Sequence, residues 1–154
     1  MLERYKKMQD GVSKLAELLE TTAPSKQKNI YEVGNKEDSL YMAQVLSVVL
    51  EWQDVLALPP SELAELLYIA KAPMIALAVL DCPQEIKDTF LKTCKREKMG
   101  QVKDLIEYPK TTNPSFMHSA RMDLVKNYRE LVNLKKIQQP KKNSEDVKKR
   151  LGFI

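Results

Sequence analysis

Apolar side chains recur at three- and four-residue spacing along most of this chain, the signature of helices that bury one face. After Asp10-Gly11 the series Val12, Leu15, Ala16, Leu18 and Leu19 predicts a first helix, broken at Thr21-Thr22-Ala23-Pro24-Ser25. Ser25 is a natural cap for a second helix carrying Ile30, Tyr31 and Val33, with Gly34-Asn35 as its end. A third runs from about Lys36 to Trp52, apolar at Leu40, Tyr41, Val45, Leu46, Val48, Val49 and Trp52. That face is wide, so the helix is expected to be buried on more than one side.

Prolines then mark the joints, because proline is tolerated where a helix starts and not inside it. Pro59-Pro60-Ser61 precedes a helix over Glu62–Lys71, and Pro73 opens an all-apolar, central one over Met74–Leu80. Asp81 and Pro83 introduce a helix burying Ile86, Phe90, Leu91 and Cys94. Gly100 punctuates before a short helix, Gln101–Tyr108, and Asn113 or Ser115 caps a long last one with Met117, Leu124, Val125, Tyr128, Leu131 and Val132 on one stripe. No Asn-Gly or Asp-Gly lies between alternating runs as a hairpin needs, so strands are not expected. The pattern predicts eight or nine short helices in an all-α, superhelical stack.

Charge changes this picture only at one end. The formal net charge is +4, from 25 basic and 21 acidic residues in 154. Lys135–Arg150 holds seven basic residues against Glu145 and Asp146, so the other 138 residues sum to about −1. Residues 1–137 are therefore read as one helical domain and 138–154 as a basic flexible tail with Lys141, Lys142, Lys148, Lys149 and Arg150. Such an arm suits nucleic acid or an anionic membrane surface. The absence of aromatics within it disfavours stacking on single-stranded nucleic acid.

Catalytic or metal chemistry finds no grouping of residues. His118 is the only histidine, and Cys82 and Cys94 are twelve residues apart without Cys-x-x-Cys spacing. Four scattered glycines cannot build a phosphate-binding loop. No stretch approaches the roughly 20 apolar residues of a membrane span, and the charged start Met1–Lys7 is not that of a signal peptide. The cysteines read as reduced thiols of a cytosolic protein. No enzymatic activity and no cofactor is expected.

Over residues 9–137 the order of segments resembles the C-terminal portion of FliG, the rotor protein of the bacterial flagellar motor switch. Asp10-Gly11-Val12-Ser13-Lys14-Leu15-Ala16-Glu17-Leu18-Leu19 resembles that family's "GGVxxxAEILN" opening, and Ser25–Ile30 its next helix. Val49-Leu50-Glu51-Trp52 stands where the family has a Met-Phe-x-Phe hinge. Pro83–Lys92 is similar to its "LREKFLxNMS" stretch, and the helix closing at Leu134-Lys135-Lys136-Ile137 to its last one.

The resemblance implies an armadillo-like helix stack with a C-terminal helical bundle, and a mechanical role in motility and chemotaxis rather than an enzymatic one. It implies a cytoplasmic location at the inner-membrane base of the flagellum. Other rotor or switch proteins, or further copies of the chain, are the implied partners. The family's torque-bearing charges, in chain order Lys, Arg, Asp, Asp, Arg, fall on Leu80, Glu97, Asp104, Leu105 and Asn113. Only Asp104 keeps its type and Glu97 reverses sign, so stator contact of the usual ion-paired kind is not expected. The expected partner-binding face is Val45, Leu46, Val49 and Trp52 on the third helix, with Trp52 as its aromatic anchor.

Overall fold

The computed structural model describes residues 1–154 and contains eleven α-helices and no strand. They are α1 (Leu2–Lys6), α2 (Gly11–Thr21), α3 (Pro24–Glu37), α4 (Ser39–Ser47), α5 (Trp52–Leu56) and α6 (Pro60–Ile69). After these come α7 (Ala72–Val79), α8 (Gln84–Thr93), α9 (Arg96–Glu107), α10 (Pro114–Asn133) and α11 (Ser144–Arg150). The chain divides into two units: unit 1 comprises Met1–Leu50 and Gln139–Ile154, and unit 2 comprises Glu51–Gln138. No helix is long and apolar enough to cross a membrane.

In unit 1, α4 is the central element, packed by α2, α3 and α11. Its wide apolar face follows from those three neighbours. The core joins Leu2, Tyr5, Leu15, Ala16, Leu19, Tyr31, Met42, Val45, Leu46 and Val49 to Val147 and Phe153 from the far end of the chain. Gly34 does not end α3 but lies inside it and is buried. A β-carbon there would stand 2.5 Å from the Met42 sulfur, so glycine lets α3 and α4 approach. The third predicted helix also stops early. After Ser47 the backbone turns, and the buried Glu20 carboxylate accepts the Leu50 N–H at 2.7 Å. Helix resumes only at Trp52, as α5.

The expectation of a flexible tail over 138–154 is corrected here. Asn143 caps α11, its side chain accepting from the N–H of Glu145 and of Asp146. At the other end Gly152 takes φ +77°, the Phe153 N–H bonds the Lys148 carbonyl at 2.8 Å and the Gly152 N–H bonds that of Lys149 at 3.2 Å. This is a Schellman closure, which needs a left-handed residue that glycine adopts without strain. Val147 is fully buried, and Phe153 stacks on Tyr31 with ring centroids 4.7 Å apart. Burying side chains of this size contributes about 1.5–3 kcal/mol each, enough to hold a short helix with favourable caps against its neighbours. The Lys142 N–H also donates to the Ser47 carbonyl at 2.9 Å, and Gln139 Nε2 to that of Val48 at 3.1 Å. Counted by unit, unit 1 holds twelve basic and nine acidic residues and unit 2 thirteen and twelve, so the basic excess lies on a folded surface.

In unit 2, the apolar α7 is central, packed by α9 and α10, while α10 also packs on α5 and α6, and α8 on α6 and α9. Prolines stand in the first turns of α6, α7 and α10, as the joints predicted. The Asn113 side chain accepts the Ser115 N–H at 2.9 Å, capping α10. Pro83, rather than Asp81, occupies the cap position of α8. Gly100 does not punctuate: α9 runs straight through it, starting at Arg96.

Candidate functional site

The residues aligned with torque charges gather at α9 and its surroundings. Along α9 only Val102 is fully buried, with Lys98, Met99, Leu105 and Ile106 half-buried beside it, so the helix lies on unit 2 by one stripe. Glu97 and Asp104 are two turns apart on the exposed side. At the start of α9, Lys98 Nζ donates to the carbonyls of Leu67, Tyr68 and Ala70 at 2.9, 2.8 and 2.7 Å. These carbonyls end α6 without helical partners, and a cation there also complements the helix dipole. The neighbouring Lys95 ammonium sits 4.3 Å from the centroid of the Tyr68 ring. The exposed face of α9 is thereby fixed in place by a buried-side lysine.

Leu80, the C-cap of α7, and Leu105 come together along a shallow groove of about 50 Å³, completed by Pro73, Ala76, Leu77 and Pro109. Asn113, the last aligned position, is engaged as the α10 cap. Of the five aligned positions, two are exposed acids, two line one apolar groove and one caps a helix. Tyr108 and Phe116, which flank the loop between α9 and α10, are 78% and 54% exposed.

The expected partner-binding face is not a surface. Val45 and Leu46 are fully enclosed and Val49 is 2% exposed, all within the unit 1 core. The width of the apolar stripe reflected packing on three sides, not a face awaiting a partner. Trp52 belongs to unit 2 and is half-buried, against Phe90 with ring centroids 6.1 Å apart. The Arg121 guanidinium carbon lies 5.2 Å from its ring centroid, a cation–π distance. Arg121 Nε donates to the Ala78 carbonyl at 2.8 Å, and its Nη2 donates to Asp81 and to the Cys82 sulfur. Trp52 is therefore part of the framework that ties α5 and α8 to α10.

Lys98 and Arg121 were not readable as braces, since each is one cation on an otherwise ordinary amphipathic helix. Burial pushes the thiols of Cys82 and Cys94 up from their ordinary values, as expected of unreactive cysteines. Of the basic residues once assigned to a tail, Lys148 is paired with Glu145 at 2.8 Å and lies over the Tyr31 ring. Its pKa is raised, chiefly by the Glu145 hydrogen bond. Lys141, Lys149 and Arg150 are exposed, and Lys142 is half-buried.

The family profile described as "FliG C-terminal domain" matches residues 34–138, more than half of the chain. This chain belongs to the FliG C-terminal domain family. No match is found among curated protein sequences. Among solved structures, the fold is similar to full-length FliG from Aquifex aeolicus at 21% identity and TM-score 0.52, covering 82% of this chain and 39% of that one. Two FliG structures from H. pylori are also similar. One has 17% identity and TM-score 0.60, covering 90% of this chain and 65% of that one. The other has 16% identity and TM-score 0.57, covering 82% and 56%. The chain thus spans between 39% and 65% of the length of these structures. The all-α FliG-type fold expected from the order of the segments is the fold observed.

Proposed function

We propose that this FliG C-terminal-type chain is a non-enzymatic interaction module of the flagellar motor switch, acting in the cytoplasm at the inner-membrane base of the flagellum. The family match over residues 34–138 carries this reading. Rotor or switch proteins, or further copies of the chain, are its partners. The working surface is the exposed side of α9 with the adjoining groove of Leu80 and Leu105. Of the family's torque charges only Asp104 is kept there, beside a sign-reversed Glu97 and two leucines, so contact with a stator by paired charges is absent. Leucines facing solvent along a groove favour a partner that offers apolar side chains.

The test is co-purification of the full chain from a flagellated host. Recovery of rotor or switch proteins is expected. Recovery of none, or of nucleic acid or anionic lipid lost on raising salt, sinks the reading. Leu105→Asp should reduce capture more than Asp104→Lys does. The reverse order would return the contact to charge.

A further inference from the structure

Between α6 and the joint of α8 with α9, unit 2 forms an open pocket of about 210 Å³, lined mainly by apolar surface. The buried Leu67 and Cys94 form its floor, Ala64 and the Tyr68 ring one wall, and the exposed Lys95 and Glu97 stand at its mouth. Its walls are held in place. The three bonds of Lys98 Nζ tie the end of α6 to the start of α9. Lys95 lies over the Tyr68 ring, which is 62% exposed. A site fixed before anything binds loses little freedom on binding.

Size decides the class of occupant. Pockets for small ligands run to about 300–1,000 Å³, and this one is smaller, so it suits one large apolar side chain of a protein partner. Charge decides the composition around that side chain. From Lys92 to Lys98 the cations Lys92, Lys95, Arg96 and Lys98 stand against Glu97, a balance of +3, and counting Glu65 beside Ala64 leaves +2. Lys92, Lys95 and Arg96 are all exposed. The start of α9 adds to the same sign, since its cap residue Lys95 offers no side-chain acceptor to the first N–H groups. By contrast, the hollow between Ile69, Met74 and Asn127 sets Lys71 and Lys126 against Asp123 and Glu130 and selects no sign.

We propose that this pocket anchors an acidic segment of a partner protein. The segment inserts one leucine- or phenylalanine-sized side chain between Tyr68 and Cys94, and its carboxylates face Lys92, Lys95 and Arg96. Anchors of this kind, one apolar side chain in a pocket rimmed by aromatic and cationic groups, concentrate the energy of protein contacts. The inference does not rest on the flagellar reading, and the pocket shares no lining residue with the groove of Leu80 and Leu105.

Short random peptides displayed on phage, panned against the full chain, supply the probe. Enriched peptides are then titrated by fluorescence against wild type, Ala64→Trp and K92E/R96E. The first variant fills the pocket from an exposed position of α6, and the second reverses two exposed charges. Circular dichroism checks that both keep their helix. Peptides with a large apolar residue beside at least two acids should be enriched. Their binding should fall at least about tenfold in each variant, and the loss in K92E/R96E should shrink as salt is raised. No enrichment, basic peptides, or binding unchanged in Ala64→Trp overturns the proposal. Peptides lost in Leu105→Asp but kept in Ala64→Trp belong to the other groove and also overturn it, while leaving the proposed function standing.

A second readout needs no variant. Peptide well above its Kd should slow alkylation of Cys94 by N-ethylmaleimide at least about fivefold, with Cys82, mapped in the same digest, unchanged. Equal rates at Cys94 overturn the proposal. A low-mass apolar carboxylate seen on the wild type by native mass spectrometry, and absent from Ala64→Trp, makes the occupant a small molecule and overturns a partner segment.

Discussion

The two units differ in the charges that hold their backbones. In unit 1 carboxylates take up free N–H groups: Glu20 that of Leu50, Glu37 that of Leu2, and Asp38 that of Tyr41 at the start of α4. In unit 2 carboxylates do so too, Asp54 for Glu51 and Glu62 for Gln138, but cations also take up free carbonyls: Lys98 those ending α6, and Arg121 that of Ala78 in the last turn of α7. Both solve the same problem, since a helix leaves donors unpaired at its start and acceptors at its end. The difference teaches where each unit is vulnerable. Unit 1 depends on carboxylates that take up N–H groups, and unit 2 additionally on cations at the ends of α6 and α7.

The largest single break should come from Glu20→Ala. It removes a buried acceptor and leaves the buried Leu50 N–H unpaired, at a cost of about 2–4 kcal/mol. Hydrogen exchange read by mass spectrometry should show faster exchange in unit 1 and little change in unit 2; equal acceleration of both would deny their independence. Lys98→Met is the mirror experiment in unit 2. It strips three carbonyls of their donor, although water reaches part of that site, and should cost about 1–2 kcal/mol in thermal or denaturant unfolding.

Gly152→Ala forces a side chain into the left-handed region and should destabilise the α11 docking by about 1 kcal/mol. Amide exchange at Val147 and Phe153 would report it. Gly100→Ala should act the other way. That position is mid-helix with nothing within 4 Å of an added β-carbon, so stability should rise by about 0.5–1 kcal/mol. A loss on this substitution would mean that α9 is less regular than described.

The smallest effect is the acid response of unit 1. The backbone hydrogen bond from Leu2 holds the Glu37 carboxyl below its ordinary value, and the Lys6 hydrogen bond does the same for Asp38. Lowered folded values mean that the stabilisation is fully present above the ordinary carboxylate pKa values of 4.5 and 3.8 and is lost as pH falls through the lower folded ones. The Leu2 and Tyr41 amides should lose protection over that acid range while the α6 and α7 amides of unit 2 hold theirs. An NMR pH titration decides it.

Much of this fold was legible because its signals are local. Prolines at the starts of α6, α7 and α10, the Asn113 cap and the apolar run of α7 each act within a few residues. What escaped was non-local. Gly34 reads as a helix end, and only the approach of Met42 explains its place inside α3. The basic run of Lys135–Arg150 masks Asn143 and Gly152, which are ordinary helix start and stop signals at the right separation. Val45, Leu46 and Val49 misled for a related reason: apolar periodicity tells that a face is covered, not whether neighbours in the same chain cover it. Nothing local marks Lys98 or Arg121 as a brace, since their acceptors lie 28 to 43 residues away.

Unit 1 is built from the first fifty residues and the last sixteen, with all of unit 2 between them. Synthesis runs from one end to the other, so residues 1–50 are made before Val147 and Phe153, which complete their core. Residues 51–138 need no such wait. The second unit in sequence is thus the first able to complete its core, and a nascent chain in which residues 51–138 have emerged but 139–154 have not would carry a finished unit 2 and an unfinished unit 1.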